Sequence, residues 1–248
     1  MTGIPNSLSD AIAQAGQSTM AALDDGLTRM QVSLLLPELK AETFAAQIIK
    51  ILLAGDRKLK VFFPDMGAAA LAKRNWGDVP FEIMDVGSGR TPVGKRVTEE
   101  DGLLIFVEPS AVEVLQVEEI CNQAGDRPVI FLNPNLEDIA TIGIGYAGRQ
   151  LRERFLSQIQ DVYHLAPNSN GYVLAHAYPT LWQVWGEPQT EDEGYVLLGE
   201  RSQRPAGDVL DAILMGTTEE EGEGETPAVL PQRNLFDQMQ RFLQALTR

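Results

Sequence analysis

The sequence predicts an α/β fold: a three-layer sandwich on a mainly parallel sheet, extended by a C-terminal antiparallel meander. Three observations predict it. Strand-like and helix-like segments alternate from about residue 31 to residue 160. Two of the strand segments, 102–107 (GLLIFV) and 128–132 (PVIFL), are almost wholly apolar, as strands covered on both faces are. After residue 160 the strand segments follow one another with connections too short for helices, which implies antiparallel neighbours.

Each element has its own signal. Residues 5–27 read as a helix, because Leu8, Ile12, Ala15, Thr19, Leu23 and Leu27 fall on one face. Pro5 suits its first turn and Gly26 its end. A strand over 31–36 leads to a helix over 38–54 carrying Phe44, Ile48 and Leu52, with Gly55 expected as a left-handed cap. Residues 59–63 form a strand that stops at Pro64, 66–74 a helix ending before Gly77, and 81–86 another strand. Ser110 and Glu113 have the spacing of a capping box for a helix over 110–124, closed by Gly125. A helix over 146–160 follows the strand 128–132. The meander comprises 162–165, 172–177, 182–185 and 195–198, with turn residues at 168–171 and at Pro179 and Thr180. The parallel part implies right-handed crossovers, a Rossmann-like arrangement.

Three regions are expected. Residues 1–215 form the α/β domain and end in a short helix over 205–215. Residues 216–231 form an acidic flexible linker, marked by 217–226 (TTEEEGEGET). Residues 232–248 form an amphipathic helix whose stripe holds Leu235, Phe236, Met239, Phe242, Leu243 and Leu246. That stripe either folds back onto the body or binds a protein partner.

Composition narrows the function. The chain has 248 residues, 44% hydrophobic, and a net charge of -15. Such a surface repels phosphate backbones, so nucleic acid is not an expected partner. The single cysteine, Cys121, makes no internal disulfide and is expected as a small buried residue on a helix. The opening residues lack a basic start with an apolar run, and no apolar stretch reaches the ~20 residues that span a bilayer. A cytoplasmic protein is the expectation.

No catalytic set stands out. Gly89 to Lys95 has the spacing of a phosphate-cradling loop, but Arg96 follows where a Ser or Thr would hold magnesium, and Pro92 removes an N–H. Gly143, Gly145 and Gly148 have dinucleotide-site spacing without a clear strand before them. His164 and His176 lie in strands, and no carboxylate or thiol has matching metal-ligand spacing, so structural or surface roles are expected. No cofactor or metal is expected. Ligands of open parallel sheets gather beyond the carboxyl ends of the strands. There the sequence places Asp65, Gly67, Glu108, Ser110, Asn133 and Asn135, with Arg149 and Arg152 one helical turn apart nearby. They read either as caps, turns and surface ion pairs or as a site for a small anion.

A set of motifs runs through the chain: Ile4-Pro5-Asn6-Ser7-Leu8, Phe63-Pro64-Asp65-Met66-Gly67, Val107-Glu108-Pro109, the segment from Arg127 to Pro134, the segment from Arg149 to Phe155, and Tyr178-Pro179 with Trp182. With these the chain resembles a domain family of cyanobacteria and chloroplasts over roughly residues 4–200. Its plant relatives include the low-photosystem-II-accumulation assembly factors, and in one chloroplast protein the domain follows an adenylate kinase. The resemblance implies a non-enzymatic auxiliary or assembly factor of the photosynthetic apparatus. Its partners would be photosystem subunits or other assembly factors, met on the cytoplasmic face of the thylakoid. The fused kinase and the open sheet suggest the alternative, a nucleotide- or phosphate-binding regulatory domain.

Overall fold

The structure is a computed structural model that describes residues 3–55, 57–87, 93–137, 145–188 and 194–216. The linker and the amphipathic stripe of 232–248 lie outside the described residues, as do Gly89, Gly143 and Pro92.

The first helix, α1 (Leu8–Asp24), starts later than its apolar face suggests. Ser7 Oγ accepts the Asp10 amide, so the cap sits two residues after Pro5. Strand β1 (Arg29–Leu34) leads to α2 (Ala41–Leu52). Gly55 is not left-handed; α2 closes on Leu53 in right-handed backbone, and the Gly55 amide bonds the Leu52 carbonyl. Next come β2 (Leu59–Phe63), α3 (Met66–Trp76), β3 (Glu82–Asp85) and β4 (Leu103–Val107). Helix α4 (Val114–Ala124) begins four residues after Ser110, because the Ser110–Glu113 pair forms a turn ahead of it rather than its first turn. Gly125, at φ 60°, ends it as expected. Strand β5 (Val129–Leu132) precedes α5 (Tyr146–Arg154), which stops short of residue 160 at a single 3-10 turn, Leu156–Gln158. The meander is β6 (Gln160–Asn168), β7 (Tyr172–Ala177), β8 (Trp182–Gly186) and β9 (Val196–Arg201), and α6 (Asp208–Leu214) follows it. The Tyr178-Pro179 bond between β7 and β8 is cis.

Among the described residues the nine strands form one sheet in the order β3-β2-β4-β5-β1-β6-β7-β8-β9. β3 to β6 in that order are parallel, and β6 to β9 are antiparallel. The Rossmann-like core and its meander thus share β6. On one face α1, α2 and α3 cover Met30, Val32, Leu34, Val61, Ile105, Ile130 and Leu132. On the other, α4 and α5 cover an aromatic row. Phe62, Phe106 and Phe131 stack at 5.0 and 5.3 Å, and Phe155 from the end of α5 meets Phe131 edge-on at 6.4 Å. Cover on both faces is why β4 and β5 read as unbroken apolar runs. A third, smaller core packs Ile213 of α6 on Tyr172, Leu174, Trp182 and Val184.

Candidate functional site

The sheet has two switch points among its parallel strands. β2 leads to α3 on one face, while its neighbour β4 leads to α4 on the other. β5 and β1 part in the same way, toward α5 and α2. Diverging exits open a crevice at the carboxyl edge, where such folds hold ligands.

The crevice between β5 and β1 is closed. The Asn133 side chain accepts the Leu34 amide at 2.7 Å and donates to the Leu34 carbonyl at 3.1 Å, imitating one more strand residue. The loops after β4 and β5 are also joined, through the Asn135 amide and the Pro109 carbonyl at 2.8 Å and a parallel bridge from Ser110 to Asn135.

The crevice between β2 and β4 is lined differently. Asp65 Oδ1 accepts the amides of Gly67 and Ala68 at 2.7 and 2.9 Å and caps α3. A Cβ at Gly67 would stand 3.0 Å from that oxygen, so the glycine leaves room for the cap. Glu113 Oε2 takes the Ser110 hydroxyl at 2.6 Å and the Ser110 amide at 3.2 Å. The α3 amides that would cradle a phosphate are therefore already answered by Asp65, and Glu113 answers the Ser110 amide ahead of α4. Glu108 adds a third carboxylate, held at φ 48° and exposed. The atoms packed beneath it still desolvate its carboxyl enough to push it upward. Around these groups large apolar side chains face solvent: Met66 and Val112, each 74% exposed, with Leu115 beside them on α4. Leu35 after β1 and Tyr146 at the start of α5 continue the row.

Two arginines of α5 bond carboxylates of the chain. Arg152 pairs with Glu137 at 2.5 Å, and Arg154 holds Glu118 through two nitrogens at 2.6 and 2.8 Å. Arg149 is exposed on the same helix. Of the residues named from sequence, Asp65 with Gly67 and Ser110 line the open crevice, Asn133 closes the other, and Arg152 pairs with Glu137 away from both. The exposed apolar row had no signal of its own in the sequence.

The family model of the domain of unknown function DUF1995 matches residues 5–212. The chain belongs to this family. The match takes in every element of the DUF1995 domain from α1 to most of α6 and stops before the acidic segment. Among the described residues no helix is long and apolar enough to cross a membrane.

A second polar cluster in the DUF1995 domain lies on the face of α4 and α5, over β6 and β7. His164 and His176 are direct cross-strand partners. Trp182 stacks on His176 at 4.9 Å and meets His164 at 5.2 Å, and the Arg204 guanidinium stands 5.5 Å from the same indole. His176 Nε2 lies 3.0 Å from the Asp161 carbonyl, and Asp161 Oδ1 accepts Gln31 Nε2 at 2.6 Å. His164 is 2% exposed, and neither of its ring nitrogens has a hydrogen-bond partner among the described residues. Burial, with Arg204 and His176 adding to it, pushes His164 down to about 3. Burial also lowers His176. Both imidazoles are therefore neutral at pH 7. On the opposite, α1 side of the same strands a recess lined by Ile4, Gln14 and Ala177 among others measures about 10 Å³, room for one water and too small for a nucleotide or sugar phosphate. Among the described residues no group of three or more His, Cys, Asp and Glu could hold a metal ion.

Proposed function

We propose that this DUF1995 domain is a protein-interaction module, an auxiliary or assembly factor and not an enzyme. The carboxyl edge of the parallel sheet carries this reading. Where α/β folds present reacting or cofactor-holding groups, Asp65, Ser110, Glu113 and Asn133 bond their own chain. What faces solvent there is the row of Leu35, Met66, Val112, Leu115 and Tyr146. Exposed large apolar side chains grouped on one edge are the mark of a surface that another protein covers. The alternative, a nucleotide- or phosphate-binding regulator, draws less support, because Asp65 answers the first amides of α3 and Glu108 and Glu113 add negative charge on the way to α4.

The resemblance to the cyanobacterial and chloroplast family supplies the partner class: photosystem II subunits or their assembly factors, met at the cytoplasmic face of the thylakoid. Affinity capture from a photosynthetic host tests both levels. The full chain should enrich such partners, and the pair Met66→Ser and Val112→Ser should lose them while melting normally. Equal capture by the variant would move the contact off this edge. A parallel chain ending at Gly216 reports whether the stripe of Leu235, Phe236, Met239, Phe242, Leu243 and Leu246 carries any of the contact.

A further inference from the structure

The open crevice between β2 and β4 has a sign as well as a shape. The charged side chains on the two strand exits, 64–68 and 108–115, are Asp65, Glu108 and Glu113, all carboxylates. Asp65 is engaged as the cap of α3 and Glu113 with Ser110 in the turn before α4, while Glu108 makes no hydrogen bond or ion pair among the described residues. Glu108 nevertheless stays in left-handed backbone ahead of a proline, a conformation a glutamate rarely adopts. Glu108 directly follows β4, whose neighbour β2 leads to the exposed Met66 at the start of α3, while the chain after Glu108 carries the exposed Val112 and Leu115 into α4. An anion would meet three carboxylates there.

We infer that this crevice docks a basic amphipathic segment of a partner protein, with a Lys or Arg on Glu108 and apolar side chains on Met66, Val112 and Leu115. The inference rests on the interaction reading above and names the chemistry of the partner. Charge complementarity sets the choice: the net charge of -15 steers a basic segment toward the chain and repels a second copy of it. The atoms beneath Glu108 desolvate its carboxyl in part, and a partly desolvated carboxylate gives a cation more energy than a fully solvated one. The pairing also fits the conformation, because a partner cation offers Glu108 a reason to keep a strained backbone.

The probe is a fluorescein-labelled 18-residue helical peptide of Leu and Lys, with a Leu and Glu peptide as its opposite, titrated against the full chain by anisotropy. The Leu and Lys peptide should bind and the Leu and Glu peptide should not. Glu108→Gln and Met66→Ser should each weaken binding roughly tenfold. Glu99→Gln, an exposed carboxylate on the turn before β4, should leave it unchanged. Thermal melts of each variant exclude loss of fold as the cause. Equal weakening by Glu99→Gln would reduce the effect to net charge and overturn the site. Failure of the Leu and Lys peptide to bind, or binding indifferent to Glu108→Gln, would overturn the partner chemistry. Capture from the host that still depends on Met66 and Val112 would in that case leave the interaction reading standing, so the two failures are distinguishable. Self-association of the full chain that Met66→Ser abolishes would give the crevice to a second copy and also overturn the assignment.

Discussion

Glu108 and Asn133 occupy matched positions one residue past the paired ends of β4 and β5, and both are left-handed, at φ 48° and 46°. Each precedes a proline. Asn133 offsets the strain with two side-chain bonds to Leu34, and asparagine enters this region more readily than most residues. Glu108 has no such return. Asn133→Ala should therefore cost about 1–3 kcal/mol in urea denaturation, by leaving the Leu34 amide and carbonyl without partners. Glu108→Asn should raise stability by roughly 0.5–1 kcal/mol. A loss of stability in Glu108→Asn would show that the glutamate supports the fold and is not held in place for binding.

Lys60 Nζ lies 2.7 Å from Asp101 Oδ2, and only 3% and 1% of the two side chains is exposed. Lys60 also donates to the Arg96 carbonyl, so β2 is tied to the segment that returns from β3 to β4. Removing Lys60 leaves the buried Asp101 carboxylate without its cation, whereas Lys60 also lies 3.1 Å from Glu82 Oε2. Lys60→Met should cost about 3–5 kcal/mol, and the double variant Lys60→Met with Asp101→Asn should recover part of it. Desolvation pushes the Asp101 carboxyl up, but the hydrogen bonds from Lys60 and Thr98 outweigh it and hold the group below its usual value of 3.8. The pair's contribution is thus complete above 3.8 and is lost as pH falls through the lower folded value. Acid unfolding followed by circular dichroism should show this loss in the parent and not in the double variant.

Arg29 holds the far end of α4. Its guanidinium donates to the carbonyls of Cys121 at 2.9 Å, Gly125 at 2.7 Å, Arg127 at 2.9 Å and Thr28 at 2.8 Å. These include carbonyls that a helix end leaves without partners, and the cation answers the negative end of the dipole. Arg29→Met should lower stability by about 2–4 kcal/mol. Arg29→Lys should recover little, because a single ammonium cannot reach four carbonyls in a plane. Recovery by lysine to near the parent midpoint would reduce the role of Arg29 to its charge alone.

The fold was legible where a physical cause acts locally. The runs over Leu103–Val107 and Val129–Leu132 announced buried parallel strands, and the spacing after residue 160 announced the meander. Helix starts moved where a cap decided them, as at Ser7, or where a turn preceded them, as at Ser110 and Glu113. Even the matched turn left a trace, since Phe106-Val107-Glu108-Pro109-Ser110 and Phe131-Leu132-Asn133-Pro134-Asn135 share one pattern. The rest depended on contacts between distant parts of the chain. Nothing near Asn133 says that its amide turns to Leu34, and nothing near Arg29 says that it reaches α4. The exposed edge was illegible for the same reason: Met66, Val112 and Tyr146 sit at helix starts, and only the order of strands puts them on one rim.

His164 and Trp182 give the last prediction. The imidazole stays neutral because burial strips water from the charged form, Arg204 and His176 add repulsion, and no acceptor among the described residues is there to take the proton. Its folded value is lowered from 6.5 to about 3, so the unfolded chain takes up a proton that the folded chain refuses. The stabilising contribution is complete above 6.5 and falls as the pH drops toward the folded value, by about 1.4 kcal/mol for each pH unit between them. His176, also lowered, acts in the same direction. His164→Phe keeps a ring against Trp182 and removes two buried nitrogens that lack partners, so it should be neutral or stabilising by roughly 1 kcal/mol at pH 7. Between pH 6.5 and 4.5 the variant should lose stability less steeply than the parent, by about one proton's slope. Carboxylate titration is common to both chains and cancels in the difference. Parallel curves in urea denaturation would mean that His164 takes up its proton in the folded chain, which only an acceptor reaching into the cluster could permit.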